Sequence, residues 1–138
     1  MFDKIDHLGI AVRSIEAQTP LYRDVFGMEY LGEEEVPEQK VRVAFFQIGE
    51  SLIELLEPTS DESPIAKHIE RHGEGIHHVA LGCKDIMAAR EAVAARGIRL
   101  LSDAPRDGAH HKLISFMHPK DTGRVLVEMA QPKPGADH

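Results

Sequence analysis

The sequence predicts an α+β fold built from two tandem modules of pattern βαβββ. Three observations carry that prediction: an internal repeat, short runs of alternating apolar residues, and helix-cap signatures in both halves. The stretch 7-HLGIAVRSIEA-17 aligns with 78-HVALGCKDIMA-88, setting His7 on His78, Ile15 on Ile86 and Ala17 on Ala88 at an offset of 71. Further on, 51-SLIELLEP-58 aligns with 125-VLVEMAQP-132, setting Leu52 on Leu126, Glu54 on Glu128 and Pro58 on Pro132 at an offset of 74. A three-residue difference in loop length accounts for the drift.

Taken in chain order, a strand is expected over residues 5–12, then a helical stretch from Ser14 to Phe26 closed by Gly27 in a left-handed conformation. Pro20 lies inside that stretch, which predicts a kink or a restart with Thr19 as N-cap. Strands follow near 28–34, 41–48 and 51–57. The segment 58-PTSDESPIAKHIERHGEG-75 reads as a loop and a short helix, with Ser63 as N-cap, Pro64 at the first helical position and Gly73 beyond the end. In the second half Asp85 caps a helix that runs to Arg96 before Gly97, and strands are expected near 98–101, 112–118 and 124–130. The expected organisation is one domain over 1–131, with module one at 1–57, a connector at 58–74 and module two at 75–131. The tail 132–138 has no apolar run and is expected to be flexible.

Composition bounds the function. The chain has 138 residues, 42% of them hydrophobic and 28% charged, the balance of a globular protein. No apolar run is long enough to span a bilayer, and MFDKIDH lacks the pattern of a signal peptide, so a cytoplasmic protein with no membrane partner is expected. A net charge of −7 argues against nucleic acid. It leaves room for a small anion, because basic residues cluster in 106-RDGAHHK-112 and recur at Lys120 and Arg124. The single cysteine, Cys83, is expected in the core and fits a reducing compartment.

The chemistry-bearing residues follow from alternation. In a strand, His7 shares a face with Gly9 and Ala11 while Leu8, Ile10 and Val12 face the other way; His78 shares one with Ala80 and Gly82, opposite Val79, Leu81 and Cys83. Glu54 within LIELL and Glu128 within VLVEM lie in runs apolar on both faces, where a carboxylate is costly unless paired, hydrogen-bonded or bound to metal. Two such glutamates at equivalent positions, each with an equivalent histidine, point to one divalent ion held by His7, Glu54, His78 and Glu128. Two imidazoles and two carboxylates suit Co²⁺, Mn²⁺, Zn²⁺ or Ni²⁺.

The other histidines read more plainly. His68 and His72 have the i, i+4 spacing of metal ligands, but on a polar connector without the glutamate of a zinc-protease motif no second metal site is expected there. His77 faces away from His78 and is expected as a packed or interface residue. For His110, His111 and His118, contact with an anionic ligand and simple solvation stand level.

These residues resemble the vicinal-oxygen-chelate superfamily over nearly the whole chain. Within it the resemblance is to the methylmalonyl-CoA epimerase family, through 6-DHLGIAV-12, 61-DESPIAKHI-69, 75-GIHHVAL-81 and above all 116-FMHPKDTGRVLVE-128. The resemblance implies paired βαβββ modules forming a curved mixed sheet around a metal site, with Co²⁺ the preferred ion, an acyl-CoA substrate and a homodimer. It matches His7, Glu54, His78 and Glu128 to the family's metal positions. It also implies epimerisation of methylmalonyl-CoA at C2 through an enolate; the twofold repeat around the metal then offers Glu128 as one base and Glu54 as the other, each loosening from the metal as it takes a proton. The family position that can carry a second base holds Val43 here. The CoA moiety is expected near the basic segment, where Lys112, Lys120 or Arg124 can meet its phosphates, although each taken singly reads as a solvated surface residue. Three alternatives stay open: a glyoxalase I-like lactoylglutathione lyase with a similar ligand set, a ring-cleaving dioxygenase, and a metal-free small-molecule-binding protein.

Overall fold

The computed structural model describes residues 1–134 and separates into two compact units, His7–His77 and a second made of Met1–Asp6 with His78–His138. Each carries the predicted βαβββ pattern. The first unit has β1 (Lys4–Ala11, counted from His7), α1 (Ile15–Thr19) with a π-helical turn (Pro20–Val25), β2 (Glu29–Val36), β3 (Val41–Ile48), β4 (Ser51–Pro58) and α2 (Pro64–His72). The second has β5 (Gly75–Gly82, counted from His78), α3 (Ile86–Ala95), β6 (Arg106–Gly108), β7 (Lys112–Phe116) and β8 (Val127–Pro132). Strand order is β2-β3-β4-β1 in the first and β5-β8-β7-β6 in the second. The outer pairings are antiparallel, and β1–β4 and β5–β8 are parallel.

The repeat visible in the sequence is also a repeat of contacts. The Val12 amide donates to the Leu56 carbonyl and the Cys83 amide to the Ala130 carbonyl, both at 2.9 Å. The first helical residue after β1, Ile15, donates its amide to Glu57 Oε1 at 2.8 Å; after β5, Ile86 does the same to Gln131 Oε1 at 2.7 Å. Helix starts leave orphan amides, and each module satisfies one with a side chain from its last strand. The caps act locally as expected: Ser14 Oγ accepts from Ala17, Ser63 Oγ from Ile65, and Asp85 Oδ1 from Ala88.

Each unit buries its own apolar cluster. In the first, Val12, Ile15, Ala44, Phe46, Ile53 and Leu55 pack together, with the Phe46 ring 5.5 Å from Tyr22 and 5.4 Å from Tyr30. In the second, Cys83, Ile86, Ala89, Met117 and Met129 do so, which places the cysteine where a small core residue belongs. Burying a side chain of this size contributes about 1.5–3 kcal/mol. Among the described residues no helix is long and apolar enough to cross a membrane.

Several elements differ from the sequence expectation. Pro20 does not restart the helix. Thr19 keeps helical angles (φ −52°, ψ −43°) and gives its hydroxyl to the Ile15 carbonyl, while the coil widens so that the Phe26 amide reaches back five residues to Leu21. A wider turn relieves the clash a proline ring makes in an α-helix. Residues 98–101 form no regular strand: the Ile98 amide is tied back to Val93 at the helix end, and only Leu100 bridges to Met117. The outer strand is instead β6, where Gly108 lies so close to β7 that an added Cβ would sit 2.8 Å from Ile114 Cγ2. The last strand begins at Val127, three residues later than expected, because Arg124 adopts a left-handed φ of 68° that no strand accommodates. It also runs on into the expected tail, and Lys133 donates to the His111 carbonyl; residues 135–138 of that tail lie outside the described residues.

Candidate functional site

The four predicted ligands fall at equivalent points of the two parallel ladders. In the first unit Gly9 pairs with Glu54, so Glu54 stands beside the residue two places after His7, on the same face. In the second Ala80 pairs with Glu128, which gives His78 the same stagger. His7 Nδ1 lies 3.3 Å from Glu54 Oε2, and His78 Nε2 lies 3.7 Å from Glu128 Oε1. All four are buried, none more than 6% exposed. Each module therefore presents one imidazole and one carboxylate side by side in a region of low dielectric, where a bare carboxylate is costly.

A second duplicated pair was missed by sequence reasoning. Phe45 on β3 stands opposite Glu54, and Phe116 on β7 stands opposite Glu128. The Phe116 ring meets the His78 ring edge to face at 5.5 Å. The signal was available, since Phe45 and Phe116 are separated by the same 71 residues as the histidines. Both rings line the carboxylate with hydrocarbon and limit water beside it. Val43, two residues from Phe45 on the same strand, faces the same side and is buried, so no proton can be exchanged at that position.

The expected phosphate contacts are placed differently from one another. Lys112 is engaged: its ammonium pairs with Asp6, and both side chains are largely buried. Lys120 and Arg124 are exposed on a tight turn, His118–Val125, whose backbone is bonded to itself. There His118 Nδ1 accepts from the Lys120 amide, and the Arg124 amide donates to the Pro119 carbonyl. His110 and His111 form the β6–β7 turn, both at left-handed φ (61° and 57°). A cleft of about 520 Å³ in the first unit, lined by Glu16, Arg23, Tyr30, Glu33 and Arg42, contains none of the four ligands.

Asp121 anchors the Lys120–Arg124 turn. It accepts the Arg99 amide and guanidinium at 2.9–3.0 Å, and this bonding holds its carboxyl at about 2 against an ordinary value of 3.8. A folded-state value below the unfolded one means that the contribution is complete above about 4 and disappears as pH falls through about 2. Urea midpoints measured from pH 6 to pH 2 should therefore decline more steeply for the parent protein than for Asp121→Asn. Superimposable pH curves would exclude this role for the carboxylate.

With the geometry in place, the chain can be set beside known proteins. Residues 6–116 match the Glyoxalase/Bleomycin resistance protein/Dioxygenase superfamily model. An ethylmalonyl-CoA/methylmalonyl-CoA epimerase of Cereibacter sphaeroides is 39% identical over 95% of this chain and 99% of its own. A Streptomyces coelicolor methylmalonyl-CoA epimerase solved with 2-nitronate-propionyl-CoA is 37% identical, covers 96% of this chain and 99% of its own, and superposes with a TM-score of 0.93. A lactoylglutathione lyase of Haemophilus influenzae is 31% identical over 96% of this chain and 97% of its own. The chain belongs to the Glyoxalase/Bleomycin resistance protein/Dioxygenase superfamily, in which it groups with the methylmalonyl-CoA epimerases.

Proposed function

We propose that the chain is a metal-dependent epimerase that interconverts (2R)- and (2S)-methylmalonyl-CoA, removing the C2 proton from one face and delivering a proton to the other. The observation that carries this reading is the duplicated His–Glu stagger: one imidazole and one buried carboxylate per module, in the same register, in a chain that groups with epimerases. The chemistry of the donor set fits a divalent ion. Each unit supplies one buried nitrogen donor and one buried oxygen donor to such an ion, His7 with Glu54 and His78 with Glu128. Two nitrogens and two oxygens suit Co²⁺, Mn²⁺, Zn²⁺ or Ni²⁺, and the likeness to the epimerases puts Co²⁺ first. When bound, such an ion supplies Lewis-acid stabilisation for negative charge on the thioester oxygen.

The remaining work belongs to the chain's own residues. Glu128 is the base for one face and Glu54 for the other, an assignment supported by their equivalent placement and by the hydrocarbon at Val43. Phe45 and Phe116 set hydrocarbon beside each carboxylate, which keeps the base poorly solvated during proton transfer while its proton exchanges with solvent between turnovers. Lys120 and Arg124 are available for CoA phosphate, whereas Lys112 would have to leave Asp6 to take part. The reading includes a homodimer working in the cytoplasm.

The lyase relative favours one other reading, conversion of the hemithioacetal of methylglyoxal and glutathione. One experiment separates the two. Cobalt-loaded protein should epimerise (2R)-methylmalonyl-CoA in deuterium oxide and leave deuterium at C2. Preferential turnover of the hemithioacetal would replace the epimerase assignment with the lyase, and inertness toward both would sink both.

A further inference from the structure

The first unit holds a group of histidines that the proposed reaction does not use. His68 and His72 lie one helical turn apart on α2, with ring centroids 4.9 Å apart. The chain then reverses through Gly73 and Gly75, at φ 80° and 150°, and brings His77 back beside the helix. Its ring centroid is 4.8 Å from that of His68, nearly perpendicular to it. Because β5 alternates, His77 occupies the face opposite His78.

From this arrangement we infer that His68, His72 and His77 form a second metal site, for a borderline divalent cation such as Zn²⁺, separate from the four ligands above. The ring positions are what carries it. An ion bonded to imidazole nitrogen at about 2.0–2.1 Å sits roughly 3.2 Å from the ring centre, so two imidazoles sharing it have centres about 4.5 Å apart at a right angle and about 5.2 Å apart at the tetrahedral angle. The observed 4.9 and 4.8 Å, of His68 with His72 and of His68 with His77, fall between those limits, and a rotamer change of the exposed His72 brings its ring to an ion shared with His77. Aiming the nitrogens needs rotation about Cβ–Cγ, which is a soft torsion for histidine. His72 is exposed and the other two are half-buried, so an ion can enter from solvent and keep water in a remaining position. Imidazole-only ligation suits Zn²⁺, Cu²⁺ or Ni²⁺ and disfavours Mg²⁺ or Ca²⁺. An ion there would fasten the C-terminal turn of α2 to the strand that carries His78.

Zn²⁺ titrated by calorimetry into the parent protein, a His68→Gln/His72→Gln double variant and His77→Gln tests this without any assay of turnover. The parent should take one more equivalent of Zn²⁺ than the double variant. His77→Gln should retain that equivalent with at least tenfold weaker affinity, because a helical histidine pair alone still binds. In parallel, Zn²⁺ should shift the ring resonances of all three histidines in the nuclear magnetic resonance spectrum of the parent. Equal stoichiometry in the parent and the double variant would overturn the site. Unchanged affinity in His77→Gln, with its ring resonances unmoved in the parent, would reduce it to an adventitious helix pair and overturn the three-ligand proposal. Neither result bears on the epimerase reading, whose ligands are different residues.

Discussion

Glu128→Gln is expected to fold normally and to lose between two and four orders of magnitude in C2 proton exchange, the range a positioned general base contributes. The amide fills nearly the same volume within β8 and avoids burying a charge, so folding is spared; it cannot take a proton from carbon, so turnover is not. Exchange of the C2 proton of methylmalonyl-CoA with deuterium oxide, followed by mass spectrometry, measures the loss directly. Glu54→Gln tests the opposite face. An enzyme that takes up deuterium from one epimer but fails to invert it would show that Glu54 and Glu128 serve separate faces. Near-normal exchange in both variants would remove these carboxylates from the proton path.

A large loss of stability is expected at Arg90, which is not one of those carboxylates. Its guanidinium is buried at 7% exposure, donating from one nitrogen to Ser115 Oγ on β7 and from the other to the Ser102 carbonyl. Hydrogen bonds from a charged donor contribute about 1.5–3 kcal/mol each, and a buried oxygen left without its donor costs about 1–3 kcal/mol. Arg90→Ala should lower unfolding free energy by about 3–6 kcal/mol, the two bonds together. Chemical denaturation is the appropriate measurement, and Arg90→Lys should recover only part of the loss, since one ammonium lacks the planar reach of the fork. A change below about 0.5 kcal/mol for Arg90→Ala, the size usual for surface positions, would exclude a clamping role.

The sequence discloses the ligand-bearing half of each module well and the outer half of the second module poorly, for physical reasons. β1 and β5 are strongly patterned because burial alternates along them, and β4 and β8 because both faces of their middle residues are covered; Leu55 and Met129 are fully buried, and a glutamate inside such a run stands out. β6 offers no such pattern. Arg106, Asp107 and Gly108 form an edge strand recognisable only through its pairing with Leu113 and Ile114. Residues 98–101 show the reverse error: Ile98, Leu100 and Leu101 are apolar enough to suggest a strand, yet Ile98 is spent closing the helix. Phe45 and Phe116 went unnoticed because a phenylalanine in a strand is ordinary until its cross-strand partner is known. The tie between Lys112 and Asp6, 106 residues apart, could not be read from the local basic cluster at all.

The common stagger of Gly9 on Glu54 and Ala80 on Glu128 has an implication for how such a protein can change over time. The three residues by which the halves differ in length lie outside the parallel ladders, in the connection between the last two strands of each module, since Phe45 and Phe116 still keep the offset of 71. Chain length can drift there, and side chains on that stretch can be exchanged, without disturbing which way a histidine or glutamate points. Inside a ladder, a single inserted residue would turn every later side chain to the opposite face and deliver Ile53 or Val127 where a carboxylate had been. Each module thus combines a segment open to variation with one held fixed, a division that lets recognition of the substrate diversify while the reacting groups stay in place.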